Sequence, residues 1–380
     1  MRGFVEKEMR KINFYEHDIK KSYKDVNKSI SSLFLTSGPI TRKVEKLISK
    51  RFNKKYCYLT NSWTNGVISL LLSLNLKKDD EVIIPANTFV ACANVVEMIG
   101  CKLVIADIDE DTKLLSIKST LKKITKKTKL IMPVHIYGNI FNVLELKKKI
   151  KKNILILEDC AHCFSGYYQN KIIGSISDFA VFSFYATKNI TCGEGGAIIL
   201  NSKKLYDKIK SISNNGMTKP AMKRFENNKY SHWDVISKGF KANLSDINAS
   251  FLEKQIKIYD RKTRNRKKIY EKLYKKISNI KQITLPYTNL NVLRDYHLFP
   301  IGVNSKKRDN LISFLNKNNI QVTVNYRSIT ELTYYKKKYR YKCKVSENWG
   351  RQTLSLPFHL KINNKDIDYI YSKLNSFFKK

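Results

Sequence analysis

The chain reads as an α/β protein with a largely parallel sheet covered by helices, followed by a smaller α/β lobe. Three observations carry that reading. Short apolar runs alternate with helical patterns between residues 56 and 200. Several of those runs are apolar at nearly every position, as in strands buried on both faces. After Pro286 the same alternation returns on a smaller scale.

Taken in order, "TNSWTNGVISLLLSLNL" (60–76) is a small polar segment that opens an apolar helix. Six strands are expected after it: "EVIIP" (81–85), "KLVIADI" (102–108), "KLIMPVHI" (129–136), "ILILED" (154–159), "FAVFSF" (179–184) and "GAIIL" (196–200). Segments between them carry apolar residues at spacings of three and four, such as Val143, Leu144, Leu146 and Ile150, and these predict covering helices. Residues 201 to about 245 lose the rhythm and are rich in Asn, Gly and Lys, which predicts loops over a site or at an interface. A long basic helix is expected from Ser245 toward Ile277. Then come a strand in "YHLFPIGV", a helix in "KRDNLISFLNKN", a strand in "IQVTVNY" and a closing helix from Lys365. At 380 residues, with no long linker or repeat, the chain suits two packed domains, a large one over 1–245 and a small one over 246–380.

Hydrophobic residues make up 42% of the chain, enough apolar surface for packed cores, so wholesale disorder is excluded. The formal net charge of +40 invites a nucleic-acid or membrane-surface reading. Its distribution argues otherwise, because lysines recur in almost every block of twenty residues without a dominant basic tail or nucleic-acid motif. Seven scattered cysteines give no disulfide framework, and the reading is a reducing, cytoplasmic setting. The first twenty residues mix acids and bases without the apolar core of a signal peptide. No apolar run approaches the roughly 20 residues that span a bilayer, so neither a membrane nor a nucleic acid is expected as partner.

Three features draw attention as chemistry. "ILILED" delivers Glu158 and Asp159 to the carboxyl edge of the sheet, the usual ligand edge of open α/β folds. The helix opening near Ser62 presents backbone amides that suit a phosphate. "FSFYATKNITCGEGGAI" (182–198) places Lys188 after Ser183 and before a glycine turn. Taken alone, Lys188 is either one more surface cation or a Schiff-base lysine, which needs a site that lowers its pKa. Cys160 and Cys163 bracket His162 in a C-x-x-C spacing that also reads as redox or metal chemistry, although no second cysteine pair completes a zinc site. His135 fits a packed wall histidine better than a base.

The run "EDCAH…GSISDFAVFSFYATKNITCGEGGAI" resembles the DegT/DnrJ/StrS-type sugar aminotransferases, pyridoxal-phosphate enzymes of the aspartate aminotransferase fold. "SGPITRKVEKLISKRF", "EVIIPANTFVACANVVEMIGCKLVIADID", "PVHIYGN", "GFKANLSDINASFLEKQI" and "TLSLPFHLKINNKDIDYI" extend the likeness over most of the chain. The resemblance implies a fold type I transferase with a mostly parallel seven-stranded sheet. It further implies pyridoxal 5'-phosphate as cofactor, held as a Schiff base by Lys188, with Asp159 pairing its pyridinium nitrogen. His162 would lie near the phenolic oxygen, and Phe89 would stack on the ring. Ser183, Thr64 and the backbone at Trp63 would bind the phosphate, and Asn243 would reach the phosphate of the partner subunit in a homodimer. Two departures stand out: Trp63 occupies a place where many members have glycine, and Arg327 follows Tyr326 where a histidine is often near. The implied reaction moves an amino group from L-glutamate to a keto group on a nucleotide-linked deoxysugar, more often at the fourth ring carbon, for polysaccharide biosynthesis. The cysteine spacing then falls inside the family's "EDxAH" pattern. A regulatory protein that keeps the fold without turnover, and a basic nucleic-acid binder, are the alternatives. The intact Lys188, Asp159 and Ser183 disfavour the first, and only net charge supports the second.

Overall fold

A computed structural model describes residues 11–19, 23–32, 34–218, 225–226, 229–230, 232–289 and 291–379. The reading of residues 1–10 lies outside them. The central sheet has seven strands: β1 (Tyr56–Thr60), β2 (Glu81–Pro85), β3 (Lys102–Ala106), β4 (Thr128–Ile131), β5 (Leu155–Asp159), β6 (Phe179–Ser183) and β7 (Gly196–Leu200). Their spatial order is β1, β7, β6, β5, β4, β2, β3, and only β7 runs against the others. Parallel strands therefore end together at one carboxyl edge, and the reversed β7 brings its first residue, Gly196, to that edge.

Two apolar cores clothe the sheet, as expected for strands without a polar face. One holds Val67, Leu70, Ile83, Val95, Ile105 and Val181. The other holds Val44, Ile48, Phe52, Phe164, Phe182 and Phe184, together with Leu252 and Tyr259 from later helices. A third core joins Ile12 to residues between Tyr270 and Leu374, around the antiparallel pair β8 (Phe299–Gly302) and β9 (Thr353–Leu356).

The six expected strands are present, with β1 added. The third expected run stops at Ile131 because Pro133 brings no N–H to the ladder. The long basic helix is two helices, Asp246–Lys257 and Tyr259–Ile277, meeting at Ile258, where the backbone leaves helical values (φ −104°, ψ 4°). One turn earlier the Gln255 side-chain amide donates to the Phe251 carbonyl, intruding on the helix's own ladder. "IQVTVNY" forms only isolated bridges, Ile320 to Ile12 and Thr323 to Ser355.

A buried carboxylate at the start of the 246–257 helix fastens the N-terminus of another. Asp246, 1% exposed, accepts from the amides of Gly38 (2.8 Å), Ile40 (3.0 Å) and Thr41 (2.9 Å) and from the Thr41 hydroxyl (2.8 Å). The helix Pro39–Arg51 has no cap of its own at Gly38, so Asp246 satisfies donors that would otherwise be orphaned. Asp246→Ala is expected to cost roughly 3 kcal/mol by urea unfolding, and Asp246→Asn less, since one acceptor oxygen survives.

Candidate functional site

Strand alternation separates the two acids at the end of β5. Glu158 points into the core, where His135 Nε2 donates to it at 2.8 Å and the Gly174 amide at 3.0 Å. His135 Nδ1 accepts from the Phe141 amide at 3.1 Å, which fixes the imidazole as the wall residue expected. Burial works to raise the Glu158 pKa, but the His135 hydrogen bond, helped by other donors, holds it below the usual carboxylate value. Asp159 faces the other way. It is 3% exposed, accepts from the Ala161 amide at 2.9 Å, and receives the Cys92 thiol at 3.2 Å. Burial pushes its pKa up, against the Ala161 and Cys92 hydrogen bonds and the charge of Lys188.

Lys188 sits in the irregular 184–195 turn between β6 and β7. The residue as a whole is half-buried, and burial is the largest influence on its amine. Desolvation moves its pKa from the ordinary 10.5 down to about 8, with Asp159 opposing. At pH 7 about a tenth of such an amine is neutral, against roughly three in ten thousand for an ordinary lysine. The structure thus supplies the environment that the Schiff-base reading of Lys188 requires.

His162, 5% exposed, accepts from the Tyr137 amide at Nδ1 (3.1 Å) and meets the Tyr326 hydroxyl at Nε2 (3.3 Å). Burial, then the charge of Lys188, hold it well below the usual histidine value, so it stays neutral. Phe89 stands at the mouth, 56% exposed, with its ring 5.7 Å from that of Tyr326. Arg327 is exposed and donates to the Glu331 carbonyl.

The phosphate-side residues assemble along the same edge. Asp159 pairs with Val181, two residues before Ser183, and Ser183 pairs with Gly196, which pairs with Thr60. The helix Trp63–Ser73 begins just beyond, with Ser62 as its cap accepting from the Asn65 amide. First-turn amides such as those of Trp63 and Thr64 have no acceptor within a helix, so they are open to an anion. A Cβ on Gly196 would lie 2.7 Å from the Ser62 carbonyl and 2.8 Å from the Trp63 nitrogen. Glycine there lets β7 lie against the turn; the close approach is to the phosphate turn's own backbone. Trp63 is buried in the core on one face of the sheet. Asn243 bridges Thr60, and its amide donates to Ser37 Oγ at 2.6 Å, while its buried Oδ1 has no partner among the described residues.

This donor set fits pyridoxal phosphate: open amides and Ser183 for the phosphate, a buried carboxylate two residues down the neighbouring strand, and an amine of lowered pKa that interacts with that carboxylate. The cysteine alternative does not fit as well. Burial pushes both the Cys160 and Cys163 thiols well above their usual range, and His135 and Glu158, which lie near Cys160, are bound to each other.

Four residues were missed in the sequence reading. Cys92 touches Asp159, and Asn189 follows Lys188. The His297 ring lies 4.4 Å from that of His162, tilted by 50°, and Asp295 accepts from Asn189. Each acts across a long sequence separation, and no local pattern marks them.

Two measurements check this geometry. Acylation of Lys188 in the cofactor-free chain, followed by mass spectrometry across pH, should show a midpoint near 8 and not near 10.5. Gly196→Ala should weaken pyridoxal phosphate binding about tenfold or more, read by absorbance titration, because the turn must shift to admit the methyl group.

Known proteins resemble this chain over nearly its whole length. The chain is 30% identical over 369 residues to the spore coat polysaccharide biosynthesis protein SpsC of Bacillus subtilis (strain 168), covering 95% of each. It is 28% identical over 376 residues to the GDP-perosamine synthase of Escherichia coli O157:H7, covering 97% of this chain and 99% of that one. The PLP form of the putative sugar aminotransferase Spr1654 from Streptococcus pneumoniae superposes with a TM-score of 0.89 at 26% identity, over 97% of this chain and 99% of that one. The DegT/DnrJ/EryC1/StrS aminotransferase family model matches residues 16–375, and the chain belongs to that family of pyridoxal-phosphate-dependent enzymes.

Proposed function

We propose that this aminotransferase transfers an amino group from L-glutamate to the fourth ring carbon of a nucleotide-linked keto-deoxysugar, making an amino sugar for polysaccharide biosynthesis. The observation that carries the reading is Lys188, an amine desolvated to a pKa of about 8 and facing a buried Asp159 at the carboxyl edge of the sheet. The likeness to a protein named GDP-perosamine synthase supports a nucleotide-linked sugar, and the likeness to SpsC supports a polysaccharide destination.

Pyridoxal phosphate, when bound, carries the amino group between substrates and takes up the electrons released at the reacting carbon. The chain's own residues do the rest. Lys188 would link the cofactor through Nζ, and its amine, of lowered pKa, would be the base that moves a proton at the reacting carbon. Asp159 would hold a proton on the pyridine nitrogen. His162, with the Tyr326 hydroxyl at its Nε2, would lie near the phenolic oxygen, and Phe89 would cover the ring. Ser183, Thr64 and the Trp63 backbone would hold the phosphate. Asn243 completes the phosphate site of the partner subunit in a homodimer.

Purified protein is expected to be yellow and to be bleached by glutamate. A panel of nucleotide keto-sugars offered with glutamate, with products read by mass and NMR, identifies the substrate and the aminated carbon. Lys188→Ala should lose turnover by at least about a thousandfold, and Asp159→Asn by at least about tenfold with weaker cofactor retention. Cys160→Ser should stay within about twofold, since a buried thiol of raised pKa is not a nucleophile. A colourless protein that binds no pyridoxal phosphate would sink the proposal.

A further inference from the structure

Lys188 lies in a turn without regular secondary structure, where its own amide donates to the Tyr185 carbonyl at 3.0 Å. What holds this stretch is the next residue. The Asn189 amide nitrogen donates to Asp295 Oδ1 (3.2 Å) and to the Tyr296 carbonyl (3.1 Å). Both partners are acceptors, so the amide can be oriented only one way, and Asn189 Oδ1 must face His297 Nδ1 at 3.0 Å. His297 therefore carries its proton on Nδ1.

The segment that clamps Asn189 is itself fixed. Asp295, fully buried, also accepts from the amides of Phe164 (2.5 Å) and Ser165 (3.0 Å) and from the Tyr259 hydroxyl (2.6 Å). Arg266 holds the carbonyls of Tyr296 (2.5 Å) and His297 (3.0 Å). Phe164 and Ser165 belong to the loop that follows Asp159 at the end of β5 and carries His162. One carboxylate thus binds both the loop that follows the acid and the turn bearing the amine.

We propose that His297 is a positioning residue for the Lys188 amine, acting through Asn189, with Asp295 as the anchor that registers Lys188 against Asp159 and His162. The inference rests on the reading of Lys188 as the residue that links the cofactor. Lengthening the His297 contact to Asn189 frees the side chain beside Lys188, and displacements of about 1 Å at a reacting group can cost up to a hundredfold in rate.

The test uses the full-length chain and three variants: His297→Ala, His297→Asn, which returns an N–H near the Nδ1 position, and Asn189→Leu. The first readout is the rate at which added pyridoxal phosphate forms its visible link to Lys188. His297→Ala and Asn189→Leu should slow it about tenfold, with kcat falling in parallel and the KM for glutamate within about twofold. His297→Asn should recover to within about threefold of the parent. A His297→Ala rate within twofold of the parent, or a His297→Asn protein as slow as His297→Ala at equal thermal stability, overturns the proposal. If His297→Ala does not fold, Asn189→Leu decides, and parental kinetics there overturn it equally.

A second readout needs no cofactor, so it separates this proposal from the aminotransferase reading. Lys188 is faced by Asp159, Cys92, Cys163, His162 and His297. Releasing it toward water raises its pKa and should lower its acylation at pH 8 about fivefold in His297→Ala, with recovery in His297→Asn. Unchanged acylation in both overturns the positioning role even if the parent enzyme is active.

Discussion

Two opposite charges share one desolvated pocket, and the protonation of the whole site follows from them. Burial alone would neutralise both Lys188 and Asp159, pulling the amine's pKa down and pushing the carboxyl's up; each charge opposes that drift in the other. The neighbouring imidazoles respond to the same field. His162 and His297 are held well below their usual pKa by burial, with Lys188 adding to the effect in both. They enter as neutral hydrogen-bonding groups, with tautomers set by the Tyr137 amide and by Asn189. Admitting water would relax all four groups together, so exclusion of solvent is a chemical requirement of the site as well as a packing one.

The fold meets that requirement with period-two geometry and one reversed strand. A slip of one residue in β5 would send Glu158 to the site and Asp159 to the pocket built by His135 and Gly174, so the register of β5 against β6 is also the specification of the acid. The reversed β7 places Gly196 between Thr60 and Ser183, where no larger residue leaves room for the Ser62 turn. Asn243 and Asp246 then tie the neighbouring loop to the 37–41 segment, through Ser37 in one case and through three backbone amides in the other. The edge that holds the chemistry is therefore braced from both sides of the sheet.

Much of this was legible because it is local. Strands apolar on both faces, such as "FAVFS" and "GAIIL", announce a covered sheet, and a lysine between such strands and a glycine turn marks the edge where ligands bind. β1 escaped because "YCYLT" is short, follows a lysine pair and runs into the polar "NSW" turn, so it reads as the approach to a helix. The break at Ile258 escaped because it has no proline or glycine; a buried Gln255 bound to Thr191 and to Phe251 accompanies it. Asp295 and His297 were invisible for a stronger reason. Their partners lie more than a hundred residues away in Phe164, Ser165 and Asn189, and nothing in "RDYHLFP" says that its acid and its imidazole turn toward a lysine.

Net charge illustrates the same distinction from the opposite direction. The chain carries 72 basic residues against 32 acidic ones, and many of those lysines sit on exposed helix faces, in pairs such as Lys149 with Glu145 and Lys203 with Asp207. Pairs of that kind contribute little to stability, because water and salt screen them. Their summed field can concentrate anionic small molecules near the surface, but it cannot choose a reaction. The glycine turn after Lys188 marks it among its many counterparts in the sequence, but a turn by itself does not lower an amine's pKa. What separates it from them is the loss of water around its amine, beside Asp159 and His162 from one distant stretch of chain and His297 from another.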